Sequence, residues 1–387
     1  MALLTLTFTS ASAVPSPLYV VYQEMWGFSA STLTVIFGVY AVALLASLLV
    51  VGALSDHVGR RPVLLVAIFL EILSLVLFLV AGDVMTLVIA RVVQGFATGA
   101  ALSTLGAVLV DLQPEHAPER GGLIAGVVPM IGLAFGALGC GLLVQLAPAP
   151  TSLVFVILII ALALSAVAVW LAPETSPRKE GARESLRPRV GLPHNMKSEM
   201  LAIVPILIAS WALGGLYMSL GPSVAGELFG IDGYLVGGLV ICALCGTGSI
   251  AALLARGSDP QEILLFSSSF LIAGMLITLG GFEFDSLWIT LAGTVVAGVG
   301  FGTAAIGAIG TISKMAAPEE RGEVFALVFV ISYLAYSLPA VIGGFASKEF
   351  GLHNSTLAYG VGILLLSVFA FTSAQAGRRL RRREALG

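Results

Sequence analysis

Charge is scarce in this sequence. Of its 387 residues only 11% are Asp, Glu, Lys or Arg. A soluble domain carries about 25% to cover its surface, so most of this surface does not face water. Cysteine is nearly absent: Cys140, Cys242 and Cys245 are the only three, and all lie in apolar runs. Cys242 and Cys245 form a C-x-x-C on one helical face, but no further ligands or soluble redox fold accompany them. They read as small packing residues rather than a metal or redox site. The four histidines, His57, His116, His194 and His353, all fall in predicted loops. No Ser/His/Asp set, Walker-type loop or zinc spacing converges anywhere. No enzyme activity, cofactor or metal is therefore expected, and no segment is long enough to be the soluble nucleotide-binding unit of an ATP-driven pump.

What the chain has instead is apolar length. Hydrophobic residues make up 58% and glycine contributes 45 residues; the mean hydropathy is +1.03. A helix needs about 20 apolar residues to cross about 30 Å of hydrocarbon. Twelve such spans are predicted: 3–23, 32–54, 62–81, 84–110, 122–146, 151–172, 200–221, 234–255, 262–281, 286–312, 323–346 and 354–376. Only helices fit, because backbone groups in lipid must be satisfied within the segment. The apolar start at Met1 has no positive n-region, so no cleaved signal peptide is expected. Its Thr- and Ser-rich residues 1–12 suggest that the first helix lines a polar cavity, or that the true start lies upstream.

The basic residues orient the chain. With the loop at 55–61 in the cytoplasm, 17 of the 19 Lys and Arg fall on the cytoplasmic side. Lys348 falls outside, and Arg91 lies within a span. Outer loops carry Glu24, Asp83, Glu227, Asp232, Glu283, Asp285 and Glu349. This is the positive-inside pattern, and it places both termini in the cytoplasm. The longest polar stretch divides six spans from six. The expected organisation is a six-helix bundle at 1–172, a cytoplasmic linker at 173–199, a second bundle at 200–376 and a basic tail at 377–387. The linker is Pro- and Arg-rich, with room for a short surface helix. The tail is expected to meet anionic lipid rather than nucleic acid.

The two halves repeat at an offset near 203 residues. Gly27-Phe28 matches Gly230-Ile231, and Ser55-Asp56 matches Ser258-Asp259. Gly95-Phe96-Ala97-Thr98 matches Gly300-Phe301-Gly302-Thr303. Pro118-Glu119-Arg120-Gly121 is echoed by Pro318-Glu319-Glu320-Arg321-Gly322. Parallel six-helix halves of this kind are a transporter architecture, with the solute site between them near the midplane.

The loop after the second span reads Gly52-Ala53-Leu54-Ser55-Asp56-His57-Val58-Gly59-Arg60-Arg61-Pro62. It resembles the signature G-x-L-[SA]-D-R-x-G-R-[RK] of the major facilitator superfamily, with His57 where that family usually has Arg. Gly52 would permit close helix approach and Gly59 a tight turn. Asp56 can accept bonds at a helix N-terminus, expected at span 11. Arg60 can pair with Asp111 at the cytoplasmic end of span 4. The resemblance implies that Gly52, Asp56, Gly59, Arg60, Arg61 and Asp111 form a latch holding the outward-open state; the plainer reading is that the basic residues only set topology.

Arg91-Val92-Val93-Gln94-Gly95 looks like the R-x-x-Q-G motif of proton-coupled members of that family. An arginine within a span is expensive and is a functional hypothesis by default. Gln94 shares its face. Glu71 lies in span 3, at a depth about 6 Å from that of Arg91 on the helical rise. The two are expected to pair or to share a water-filled pocket, for coupling or as a structural ion pair. The run Gly132-Leu133-Ala134-Phe135-Gly136-Ala137-Leu138-Gly139-Cys140-Gly141 is a degraded antiporter motif. Ala137 stands in place of its proline, so its kink is not expected.

In the fold this resemblance implies, spans 1, 4, 7 and 10 line the cavity, with help from spans 2, 5, 8 and 11. Thr9, Pro15, Tyr19, Tyr40, Gln94, Trp211, Tyr217, Phe301, Tyr333 and Tyr336 are the residues expected there, against ordinary helix packing for each. So few ionisable groups suit a neutral, amphipathic or monoanionic solute in an aromatic pocket. The resemblance thus implies an all-α, twelve-helix transporter of the cytoplasmic (inner) membrane. It would be monomeric and export small lipophilic compounds or metabolites in exchange for protons. Uptake of a sugar or small organic acid, and a membrane sensor that does not transport, are the alternatives.

Overall fold

The computed structural model describes residues 1–384 apart from 115, 118, 119, 177, 230–233, 318 and 319. Of the repeat, Gly230-Ile231, Pro118-Glu119 and Pro318-Glu319 lie outside the described residues. The protein is all-helical, with no strand among the described residues. The helices are α1 (Ala2–Ala13), α2 (Pro15–Trp26), α3 (Ala30–Val51), α4 (Leu54–Val58), α5 (Arg60–Leu79), α6 (Val84–Asp111), α7 (Arg120–Leu146) and α8 (Leu153–Leu171). There follow α9 (Ala182–Ser185), α10 (Lys197–Ser219), α11 (Gly221–Phe229), α12 (Tyr234–Leu254), α13 (Pro260–Glu283), α14 (Leu287–Met315), α15 (Arg321–Phe350) and α16 (Leu352–Glu384).

Ten of these are long and apolar enough to span a bilayer. The first predicted span is α1 and α2 together, and the seventh is α10, apolar over Ile203–Ser219. Polar caps begin the helices where the chain meets water. Asp83 accepts from the Thr86 N–H at 2.7 Å, and Asp259 from Gln261 at 3.0 Å with Pro260 at the first position. Each satisfies a donor that the helix cannot. The linker's surface helix is a single turn, α9. Helix continues from the last span into the basic tail: α16 runs on to Glu384, because nothing in Arg378–Glu384 breaks a helix.

The chain forms two compact units: Met1–Pro188 with Asp232–Ile241, and Arg189–Ile231 with Cys242–Gly387. In the first, α5 packs on α6 and on α8, and α1 packs on α7. In the second, α13 packs on α14 and on α16, and α10 packs on α15. These pairings match in the order of the sequence repeat. The units differ in one respect. The buried charged side chains among the described residues, Arg60, Glu71 and Arg91, all belong to the first.

Candidate functional site

The site begins with two prolines. Pro15 and Pro17 carry no N–H, so the carbonyls four residues earlier, Ala11 and Ala13, lose their helical donors. Val14 keeps helical dihedrals (φ −52°, ψ −44°), and its N–H reaches the Ser10 carbonyl at 3.2 Å. The chain therefore runs on from α1 into α2 with a gap in its hydrogen-bond ladder. A side chain of α6 fills part of that gap: Gln94 Nε2 donates to the Ala11 carbonyl (3.1 Å), and beside it Arg91 Nη1 donates to the Ser12 carbonyl (3.1 Å).

Around this contact lies a closed polar cluster. Arg91 is 1% exposed; Gln94 and Glu71 are fully buried. Arg91 Nε donates to Tyr19 Oη at 2.5 Å, and Nη1 to Gln94 Oε1 at 2.7 Å. Its guanidinium carbon lies 5.3 Å from the Tyr19 ring centroid and 4.8 Å from that of Tyr40. Gln94 Nε2 also donates to Glu71 Oε1 (3.0 Å), and Thr98 Oγ1 to Glu71 Oε2 (3.4 Å). Ser12 Oγ lies 3.4 Å from Thr98 Oγ1. No direct ion pair joins Arg91 to Glu71 among the described residues: Gln94 stands between them, its carbonyl on the cation and its amide on the carboxyl group. An amide can do both at once and still donate to the Ala11 carbonyl, which a hydroxyl, with a single O–H, could not. One cation and one carboxyl group thus share a buried site whose polar atoms are matched, the condition under which buried charge is tolerable.

Two of the residues expected in the cavity lie in this cluster. Tyr19 is fully buried and Tyr40 is 6% exposed. Both belong to the housing of Arg91, because a desolvated guanidinium needs a hydroxyl acceptor and ring faces. Thr9 is also enclosed: its Oγ1 bonds back to the Thr5 carbonyl at 2.9 Å, and it packs against Gly132 of α7. The degraded antiporter run is thus a close-packing face, with Gly136 on the Ser10 backbone. Pro129, eight residues before Ala137, is the proline inside α7.

The cytoplasmic loop forms a second constellation. Arg60 Nη1 bonds Asp56 and Ser55 Oγ (2.5 Å to the latter), and Nε lies 3.3 Å from Asp111 Oδ2. Arg61 donates to the Trp170 carbonyl. Gly59, at φ +115°, occupies a backbone region that disfavours any Cβ, and lets α4 turn directly into α5. Gly52 plays no comparable part: no neighbouring helix comes within 4 Å of where its Cβ would be, since it merely ends α3.

Glu174 is the member that the sequence reading missed. Gly59 has no side chain to cap α5, and Glu174 does so from the linker: Oε1 accepts from the Arg60 N–H (2.8 Å) and Oε2 from the Arg61 N–H (3.2 Å). The signal was present in Pro173-Glu174-Thr175, an acid just after a span, facing a helix start that lacked a cap. Partial burial pushes the carboxyl up, but the N–H groups of Ser176, Arg60, Arg61 and Thr175 outweigh it and hold the group below the usual carboxylate range. A depressed value means the stabilisation is present at neutral pH and lost as pH falls through it. Glu174→Ala is therefore expected to cost about 1 kcal/mol at neutral pH. The difference from the parent should narrow in acid. Thermal melts at both pH values check this, and a constant gap would reject the capping role.

His57 holds the same linker. Its Nδ1 lies 2.8 Å from the Glu180 carbonyl and 3.1 Å from that of Lys179, so the proton is on Nδ1.

The second unit gathers the aromatic candidates. Trp211 lies 4.9 Å from Tyr333 and 5.8 Å from Tyr336 between ring centroids. Gly214 of the same helix packs against Phe301 and Tyr336. Tyr217 stands apart from them, its hydroxyl 2.8 Å from Thr294 Oγ1. Trp211, Phe301 and Tyr336 are half-buried, and no charged side chain is among them.

Residues 1–338 match the family model of the Major Facilitator Superfamily. The chain belongs to this superfamily. It is 25% identical over 305 residues to the multidrug resistance protein MdtL of Vibrio parahaemolyticus, covering 74% of each chain. It is 26% identical over 336 residues to the multidrug transporter MdfA of Yersinia pestis, covering 78% of this chain and 76% of that one. Its fold is that of a D-xylose–proton symporter, with a TM-score of 0.73 at 16% identity over 96% of this chain and 95% of that one. A bacterial homologue of the lysosomal transporter Spinster gives 0.70 at 14% identity, over 97% and 96%. This superfamily member is thus a multi-pass membrane transporter, and the superfamily is not an enzyme class.

Proposed function

We propose that this transporter exports small lipophilic compounds or metabolites in exchange for protons, by alternating access. The observation that carries the reading is the buried set Arg91, Gln94 and Glu71. A carboxyl group enclosed by helices and balanced by a single cation can carry a proton at a net charge change of one. The multidrug relatives support export. The half-buried Trp211, Phe301 and Tyr336, with the buried Tyr333 against them, support an apolar solute, since they offer ring faces and few hydrogen-bonding groups. Uptake of a sugar, which needs many such groups, is the weaker reading. Asp56, Arg60, Arg61 and Asp111, with Gly59 at the turn, would serve as the latch of the conformational cycle. The charge pattern supports insertion in the inner membrane with both termini cytoplasmic.

The experiment is substrate-driven proton flux in proteoliposomes holding a pH-sensitive dye, with a panel of lipophilic cations, weak acids, amino acids and sugars. Glu71→Gln keeps the shape and removes the titration. It is expected to lower proton-coupled transport by at least about tenfold, a barrier change of about 1.4 kcal/mol, while downhill movement of labelled solute continues. A Glu71→Gln protein with full pH-dependent transport would remove Glu71 from the coupling role.

A further inference from the structure

The contact between α6 and the break in the first span has a second consequence. Gln94 spends one amide proton on the Ala11 carbonyl and the other on Glu71, while its own carbonyl accepts from Arg91. The same two α6 side chains that face the carboxylate therefore also grip the backbone of the first helix. Gln94 grips it where Pro15 has already removed the helix's own bond, and Arg91 grips it one residue further on. From these positions we infer that the Ala11–Pro15 break is a hinge, and that Gln94 couples the protonation of Glu71 to the swing of α2. Gln94 and Pro15 are positioning residues in this scheme.

The step is simple in charge and bonds. The ionised carboxylate balances Arg91 and accepts from Gln94 and Thr98. A proton arriving from water forms an O–H on that carboxylate. The cluster then carries a net positive charge in a dry site, and the charge-assisted bond from Gln94 weakens by about half. An unbalanced buried cation is strongly unfavourable, so the site opens to admit water or an anionic or electron-rich solute. The part that yields is the contact with Ala11 and Ser12, because the ladder is already incomplete at Ala11. The charged or titratable groups that face Glu71 are Arg91 of α6 and Tyr40 of α3, with Tyr19 of α2 bonded to Arg91. Neither α1 nor α8 carries any.

This inference rests on the proton-coupled reading above, and its test separates the two. Met25, 60% exposed near the end of α2, and Val156, 41% exposed on α8, are the labelling sites. Met25→Cys and Val156→Cys would be introduced into the full chain with Cys140, Cys242 and Cys245 replaced by alanine, spin-labelled, and placed in lipid nanodiscs. Met25 lies ten residues beyond the break, a lever of about 15 Å, so a hinge of about 20° displaces it by about 5 Å. The expected result is a shift of that size in the Met25–Val156 distance between acid and alkaline pH. The shift should vanish in Glu71→Gln and fall by at least half in Pro15→Ala, which restores the missing N–H without touching any charge. A distance that ignores pH overturns the hinge. So does a shift that persists in Glu71→Gln or is undiminished in Pro15→Ala. Proton flux is measured on the same samples. Flux without movement of α2 rejects the hinge and leaves coupled transport standing; movement governed by Glu71 without any substrate-driven flux retains the hinge and rejects coupled transport.

Discussion

Arg91→Ala is expected to abolish proton-driven transport and to destabilise the fold by about 3 kcal/mol or more, the usual cost of removing one member of a buried charge pair. The guanidinium holds Tyr19, Gln94 and the Ser12 carbonyl, and it faces two aromatic rings. Alanine supplies none of these contacts and leaves Glu71 without its counter-charge. Arg91→Lys keeps the charge but loses the planar fork, so it should fall between the two. The informative variant is the double one. If the damage comes from an unbalanced Glu71, then Arg91→Ala with Glu71→Gln should recover much of the stability lost in Arg91→Ala, though not the coupling. Melting temperatures in detergent and proton flux in liposomes read the two effects separately. Additive losses in the double variant would mean that Arg91 acts through packing and hydrogen bonds rather than through charge balance.

Gly302→Val is expected to be the most damaging change in the second unit. A Cβ at Gly302 of α14 would land on the Gly248 carbonyl of α12. Backbone cannot turn aside as a side chain can, so the helices must separate or shear. Overpacking of this kind costs about 1–3 kcal/mol in ordinary cores, and the upper end is expected here because glycine faces glycine. Within lipid, such close approach is itself the main source of helix association. The control is Gly280→Val on α13, where nothing lies within 4 Å of the new Cβ. The melting temperature should fall in Gly302→Val and hold in Gly280→Val. Equal tolerance at both sites would show that the α12–α14 contact contributes little to stability.

Much of the molecule was legible without its structure, and the physical reason is that lipid is a demanding solvent. Twenty apolar residues in a row admit few conformations, so the spans can be counted directly. The largest departures were at places where helices continue or break: α16 absorbs the basic tail, and the first span is two helices joined at Val14. The Pro15 and Pro17 that cause that break are visible in the sequence. Arg91, Gln94 and Glu71 were legible for a related reason: polar groups inside a span are costly, and spacing put them at similar depths.

What the sequence could not determine is how each helix is rotated about its own axis and which neighbour its polar face meets. Tyr19 and Tyr40 share their helix types with residues that line cavities, and only packing turned them toward Arg91. Glu174 caps a helix more than a hundred positions earlier in the chain, a contact that no local pattern encodes. The Ala11 carbonyl is not a side chain at all. Its availability follows from Pro15, but its capture by Gln94 depends on α6 lying against the break. Composition and spacing determined the spans, their order and the unusual charges within them, because burial in lipid acts on each residue separately. The partnerships among those charges were decided by the tertiary structure, because a hydrogen bond depends on two positions and an angle that no single stretch of sequence specifies.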